Sequence, residues 1–277
     1  MLFVGTSIIH PSTEGVFLLC NILDLLIYSY NIKSSKAQLL FFLFSYRIVL
    51  YYVQYKGLLF YILQIFWEVF LMDSIIFDVD GTLWDSTGIV AEAWSDYLIH
   101  TEHMDTDVSS SRLMGLFGQL LPDIAKALFP ELPEAEQLRI IDGCCQAEHE
   151  ALLRKCAPLY PDLEKTLKIL SSRFPLFIVS NCQAGYIEVF LKSTGFGHYF
   201  KGHLCPGDTG MAKAENIMKI REDNNLSDPV YIGDTIGDFN ACRKAGVPFI
   251  FAEYGFGQVD KPDYRITRPF DLTEICR

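Results

Sequence analysis

Ile75-Ile76-Phe77-Asp78-Val79-Asp80-Gly81-Thr82-Leu83 is the stretch on which the fold turns. Its apolar run reads as a strand buried on both faces, as in a parallel sheet, and Gly81 punctuates its end. Ligands of open α/β sheets bind at the carboxyl ends of the strands, so Asp78 and Asp80 fall where chemistry is expected. With Asp78 ending the strand and Asp80 on the turn beyond, the two can converge on one substrate. One could attack or hold a metal while the other exchanges a proton. An isolated DxD is common by chance, but DxDGT directly after an apolar run is much less so.

Working outward, Leu83 to His100 reads as a turn running into a helix with Ile89, Ala93, Tyr97 and Leu98 on its apolar stripe. Helices are predicted from about Gly118 to Phe129, broken by Pro130 and Pro133, and over Glu134 to Leu153 with Leu138, Ile141 and Leu152 buried. Nothing from 87 to 155 reads as a strand. Alternation then resumes: helix Asp162–Ser171, strand Leu176–Ser180, helix Gly185–Ser193, a short strand Tyr199–Leu204 and helix Met211–Asn224. Strand Pro229–Ile232 precedes Gly233-Asp234, then helix Asp238–Ala245, strand Val247–Phe251, an edge strand Tyr264–Ile266 and a helix Asp271–Cys276. The expected fold is α/β: a Rossmann-like, doubly wound parallel sheet with an inserted α-helical cap. The core is 72–86 with 157–277, and the cap is 87–156.

The 277 residues carry 34 Asp/Glu against 23 Lys/Arg, a formal charge of -11. There is no basic field to attract a nucleic-acid backbone. The eight cysteines form neither CxxC pairs nor a regular framework, and they read as reduced, cytosolic thiols. Residues 1–71 differ sharply from the rest, with four Lys/Arg, three Asp/Glu and long runs of Leu, Phe, Ile and Tyr. Leu39 to Val53 and Leu58 to Leu71 are interrupted by Arg47 and Gln64, short of the roughly 20 apolar residues that a membrane span needs. Trp67-Glu68-Val69 can be encoded as TGG-GAG-GTN, containing a ribosome-pairing GGAGGT at about seven nucleotides before Met72, and such a segment is set aside in fold reasoning. Met72 therefore reads as the natural start, with a mistranslated leader upstream. A membrane anchor and an extra soluble segment are the alternatives, and only the anchor would move the protein from the cytoplasm to a membrane.

Three strand ends carry polar groups that a core would reject: Asp78 and Asp80, Ser180 and Asn181, then Asp234 with Asp238. Gathering four carboxylates at one sheet edge is repulsive without a cation. Mg2+, which favours carboxylate oxygens and substrate phosphate, fits that need, and Lys213 is the best fixed cation nearby. Asp78 is the expected nucleophile on phosphorus. Asp80 is the expected acid, then base. Ser180, backbone amides near Asp80, and Lys213 would hold the phosphoryl oxygens. Metal ligands are expected from Asp78, Asp80 and Asp234, with Asp238, Asn181, Thr82 and Gly81 in support.

These residues also resemble a family. Asp78-Val79-Asp80-Gly81-Thr82-Leu83 running into Asp85-Ser86, then Ser180-Asn181, Lys213, and Gly233-Asp234-Thr235 with Asp238, Ala241, Ala245 and Gly246 are similar to the four motifs of the haloacid-dehalogenase superfamily. The branch resembled is the phosphoglycolate phosphatase-like one, and the likeness spans roughly 72–270. It implies a mobile helical cap and Mg2+-dependent hydrolysis of a small phosphorylated metabolite through an aspartyl-phosphate. One departure is that Ala214, where many relatives have proline, follows Lys213.

Several rivals differ in detectable ways. A carbon–halogen dehalogenase needs no aspartate at the position of Asp80. A sugar-phosphate mutase, resembling β-phosphoglucomutase, would keep both aspartates and differ in the cap. A non-catalytic phosphate-binding protein would show degraded motifs, and none is seen; a membrane-tethered phosphatase requires residues 1–71 to be genuine. For the leaving-group pocket the candidates are Trp84, Arg112, Met114, Phe117 and Gln119, with Arg112 set against a substrate carboxylate or, equally, a plain surface arginine. Gly207 to Gly210 reads as a tight turn near the cleft, and Tyr254-Gly255-Phe256-Gly257 as a rim loop contributing little more than shape. The physiological substrate and the oligomeric state are not encoded legibly.

Overall fold

The computed structural model describes residues 72–276; the readings of residues 1–71 as leader, anchor or membrane span fall outside the described residues. Strand β1 (Ser74–Phe77) is buried along its whole length. It pairs in parallel with β2 (Leu176–Val179) on one side and β4 (Pro229–Gly233) on the other, Phe77 opposite both Ile178 and Ile232. With β3 (Phe200–Leu204), β5 (Phe249–Ala252) and β6 (Tyr264–Ile266) the sheet runs β3-β2-β1-β4-β5-β6, all parallel. This order makes β1 the point where the winding reverses, and open sheets bind ligands beyond the strand ends at that point.

The pleat of β1 divides two apolar layers. Ile75 and Phe77 join one cluster, while Ile76 joins the other with Phe177, Tyr231, Phe249 and Phe251. Both faces are thus covered, which is why the strand is apolar without alternation. Each fully buried side chain of this size contributes about 1.5–3 kcal/mol.

Between β1 and β2 lie α1 (Thr87–Tyr97), a π-helical turn (Leu98–Glu102), α2 (Ser110–Met114), α3 (Leu121–Leu128) and the long α4 (Glu134–Arg154). The chain leaves and returns side by side: Asp85 N donates to Pro158 O at 2.9 Å, and Trp84 bridges Leu159. After β1 and its insert come α5 (Leu163–Ser171), α6 (Tyr186–Thr194), α7 (Pro206–Thr209), α8 (Lys213–Asp223), α9 (Ile236–Ala245) and α10 (Leu272–Ile275). No helix among the described residues is long and apolar enough to cross a membrane.

Three local expectations need correction. Helix α3 starts at Leu121 rather than Gly118, because Gly118 takes φ +86° and Leu120 is extended. Leu138 is 38% exposed, whereas Gln137 turns inward to donate to Phe129 O and Leu132 O at 2.9 Å each. The buried face of α4 is set by Ile141, Cys144, Cys145, Glu148 and Leu152. The Gly207–Gly210 turn is instead the one-turn helix α7 closed by Gly210. The described cysteines are all free thiols, and all but Cys156 are buried.

Candidate active site

The turn after β1 is built for close approach. Asp78 N donates to Ile232 O at 2.8 Å, and the N–H groups of Gly81, Thr82 and Leu83 are taken up by Trp84 O and Val79 O. Those three amides are therefore engaged within the turn itself, which leaves the amides of Val79 and Asp80 as the backbone donors nearest Asp80 for the expected role. Gly81 sits at φ +79°, and a Cβ there would collide with the Asp234 carboxylate. Gly81→Ala is accordingly expected to cost about 2–4 kcal/mol, from left-handed backbone strain plus overpacking, read as a fall in urea midpoint at unchanged slope.

At the carboxyl ends of β1 and β4 a buried charge cluster forms. Lys213 Nζ donates to Asp78 Oδ1 at 2.8 Å and to Asp238 Oδ1 at 2.5 Å, with all three side chains at most 4% exposed. Asp238 is aimed by a capping box at the start of α9. Its Oδ2 accepts from Thr235 N at 3.0 Å and from Thr235 Oγ1 at 2.7 Å, while its own N–H donates back to Oγ1 at 3.2 Å. Tyr231 donates its hydroxyl to Val179 O at 2.6 Å, beside the cluster. Burial opposes the Lys213 ammonium, but Asp238 and Asp78 outweigh it and hold its pKa above the ordinary value. Burial pushes the Asp78 carboxyl up to about 7 against the pull of Lys213, and Asp238 adds to the rise.

Asp234 stands differently. Its Oδ2 accepts from Phe256 N at 2.7 Å, but its buried Oδ1 has no partner. Burial, then Asp238 and Asp78, raise its pKa well above the carboxylate range. Ligand atoms of Asp78, Asp234 and Asp238 all lie within 4.8 Å of one another. Three buried carboxylates facing one ammonium, with an orphaned oxygen among them, are a donor set suited to a hard divalent cation. The Asp80 carboxylate lies outside this side-chain cluster, and both oxygens of Asp238 are already engaged, Oδ1 by Lys213 and Oδ2 by Thr235.

The Asp80 carboxylate is held elsewhere, entirely by neutral donors. Ser86 Oγ at 2.5 Å, Tyr186 OH at 2.7 Å and Trp84 Nε1 at 2.9 Å all donate to Oδ1. Burial pushes its pKa up to about 6, with those three donors opposing. A small cavity borders Asp80 under α1 and α4, lined also by Trp94, Phe117, Glu148 and Gln183. Glu148 is buried, accepting from Trp94 Nε1 at 2.6 Å and from Gln183 Nε2. Burial raises its carboxyl to about 8, and the charge of Asp80 adds to that.

Ser180 and Thr82 are buried at the same edge, and Thr82 Oγ1 has no partner. Asn181 Nδ2 reaches across to Gly118 O at 2.8 Å. Among the pocket candidates, Phe117 lines the cavity and Trp84 holds Asp80, but Arg112 donates to Ala127 O at 3.2 Å and Gln119 to Gly115 O. The 254–257 loop does more than give shape: Tyr254 OH donates to Thr82 O at 2.9 Å and Phe256 N clamps Asp234. Sequence patterning does not single out Glu148, Gln183 or Tyr186, and gives Ser86 no role beyond its place in the motif. Only Ser86 carries a local signal, and the others are placed by tertiary packing.

The family model described as haloacid dehalogenase-like hydrolase matches residues 75–252. A phosphoglycolate phosphatase of Aquifex aeolicus is 27% identical over 217 residues, covering 74% of this chain and 96% of that protein. A glyceraldehyde 3-phosphate phosphatase of Methanopyrus kandleri is 24% identical, covering 75% and 98%. Among solved structures, a haloacid dehalogenase-like family protein of Streptococcus pneumoniae superposes with a TM-score of 0.65 at 23% identity, over 74% of this chain and 99% of its own.

Proposed function

Since the chain belongs to the haloacid dehalogenase-like hydrolase family, we propose that it is a Mg2+-dependent phosphatase acting on a small phosphomonoester through an aspartyl-phosphate on Asp78. One observation supports this most. Two carboxylates on one turn are held by opposite means, Asp78 by the Lys213 cation and Asp80 by three neutral donors. Lys213 offsets part of the rise that burial gives Asp78, and burial against the three donors leaves Asp80 at about 6, within reach of proton exchange near neutral pH.

Lys213 engages Asp78 at Oδ1, which leaves Oδ2 to attack phosphorus. As the new O–P bond forms, the ester P–O bond breaks and Asp80 gives its proton to the departing oxygen. Asp80, now ionised, takes a proton from water, which attacks phosphorus, releases phosphate and restores the Asp78 carboxylate. Ser180 and Lys213 would hold the phosphoryl oxygens, and helices 87–156 would act as a cap that excludes water. Asp78 and Asp234, whose buried Oδ1 has no protein partner, would hold the metal with Asp238 in support, and the metal would supply positive charge that keeps Asp78 ionised and screens it from the phosphate dianion.

The test is phosphate release by the full chain over small esters, with Mg2+ or with EDTA. Phosphoglycolate belongs on that panel because the Aquifex aeolicus relative bears its name. Turnover should fall at least about 100-fold in EDTA and return with Mg2+. Turnover indifferent to chelation would contradict the metal's part.

A further inference from the structure

The cavity beside Asp80 lies where a leaving group must sit if Asp80 protonates it. Its volume is about 30 Å3, room for about two waters. The N–H and phenol donors of its lining side chains are all engaged. Tyr186 OH is engaged by Asp80 and Trp94 Nε1 by Glu148. Asn181 Nδ2 is engaged by Gly118 O, and Gln183 Nε2 by Glu148 and the His149 ring. Because Asn181 faces a carbonyl and Gln183 a carboxylate, their amide orientations follow from their partners. What is left over is amide and carboxyl oxygen. Asn181 Oδ1 is buried with no partner, and the carboxyls of Asp80 and Glu148 face the same space. No Arg or Lys lines the cavity among the described residues, and Arg112 is turned away to Ala127 O.

We propose that this pocket selects a small, neutral, hydroxyl-bearing leaving group, as in the monophosphate of a short polyol, and discriminates against one bearing a carboxylate. Glu148 and Asn181 are the specificity-determining residues. The proposal rests on the phosphatase reading above. A hydroxyl supplies the donor that Asn181 Oδ1 lacks, and it can both donate to and accept from the Glu148 carboxyl. A carboxylate brings only acceptors, and it adds negative charge to a space already holding Asp80. Even as a neutral acid, Glu148 contributes no cation to offset the desolvation of a second charged group.

A matched pair of two-carbon esters isolates the choice. The full chain is assayed with Mg2+ on 2-hydroxyethyl phosphate and on phosphoglycolate, which differ only in hydroxymethyl against carboxylate; acetyl phosphate serves as a check on the phosphoryl chemistry. The expected kcat/KM ratio favours 2-hydroxyethyl phosphate by about tenfold or more, and Glu148→Gln, which places an amide donor in the pocket, narrows it by about tenfold. Equal rates, or a preference for phosphoglycolate, overturn the proposal and leave the phosphatase reading standing. A preference that a folded Glu148→Gln variant leaves unchanged overturns the assignment to this cavity. No release from any ester, acetyl phosphate included, overturns the phosphatase reading and this inference with it. The wild-type ratio decides even where the variant does not fold.

Discussion

Asp78→Asn is expected to lower kcat by about 10⁴-fold or more on every ester the protein hydrolyses. The amide lacks the anionic oxygen that must bond to phosphorus, and no neighbour can substitute for it. Asp80 is anchored through Oδ1 by Ser86, Tyr186 and Trp84, and Asp238 is held by Lys213 and Thr235. The fold should survive the change. The oxygen of the new amide can still accept from Lys213, and the substitution removes a carboxyl that burial already pushes up to about 7. Phosphate release paired with a urea melt separates the two effects: near-zero turnover at near-wild-type stability is the expected outcome. Turnover above about a hundredth of wild type, on the scale of nucleophile deletions, would remove Asp78 from the nucleophile's role.

Lys213→Met has the largest expected effect on stability. The substitution fills the space but leaves Asp78 and Asp238 buried at 2% and 0% exposure without their cation. Breaking a buried pair by removing one partner costs about 3–5 kcal/mol, so the urea midpoint should drop steeply. The deficit should depend on pH in a definite direction. Without Lys213, the Asp78 carboxyl rises further above its ordinary value, so the folded state keeps a proton that the unfolded chain has lost. Stability contributed this way is present below about pH 4 and is lost as pH rises toward the raised folded pKa. The variant should therefore lie closest to wild type in acid and furthest from it at pH 8. A pH-independent deficit, or none, would mean that the ion pair is not what holds this edge together.

Much of this is legible in the chain because it is local. The apolar run of β1, its abrupt end at Asp78 and the later strand–helix alternation imply a parallel sheet with its polar groups at one edge, and the sheet places Ser180, Asp234 and Asp238 there. The capping box of Thr235 and Asp238 lies within four residues. What escapes the sequence is contact between segments far apart. Glu148 sits on a helix whose pattern gives no hint that its carboxyl is buried, and its partners are Trp94 and Gln183, 54 and 35 residues away. Phe256 meets Asp234 through a backbone N–H, which no side-chain pattern announces. The Asp80 carboxylate stands outside the acidic cluster for a related reason. Spacing places its carboxylate near Asp78, but the donors that turn it aside include Tyr186, 106 residues away.

The central claim, that phosphorus bonds covalently to Asp78, has a direct chemical test. The full chain is mixed with Mg2+ and ester, quenched in acid during turnover and reduced with borohydride, which converts an aspartyl-phosphate to homoserine. Peptide mass spectrometry should then find homoserine at position 78, dependent on the ester and absent from Asp78→Asn. Sustained turnover with an unmodified Asp78, or with homoserine at position 80 instead, would contradict the mechanism.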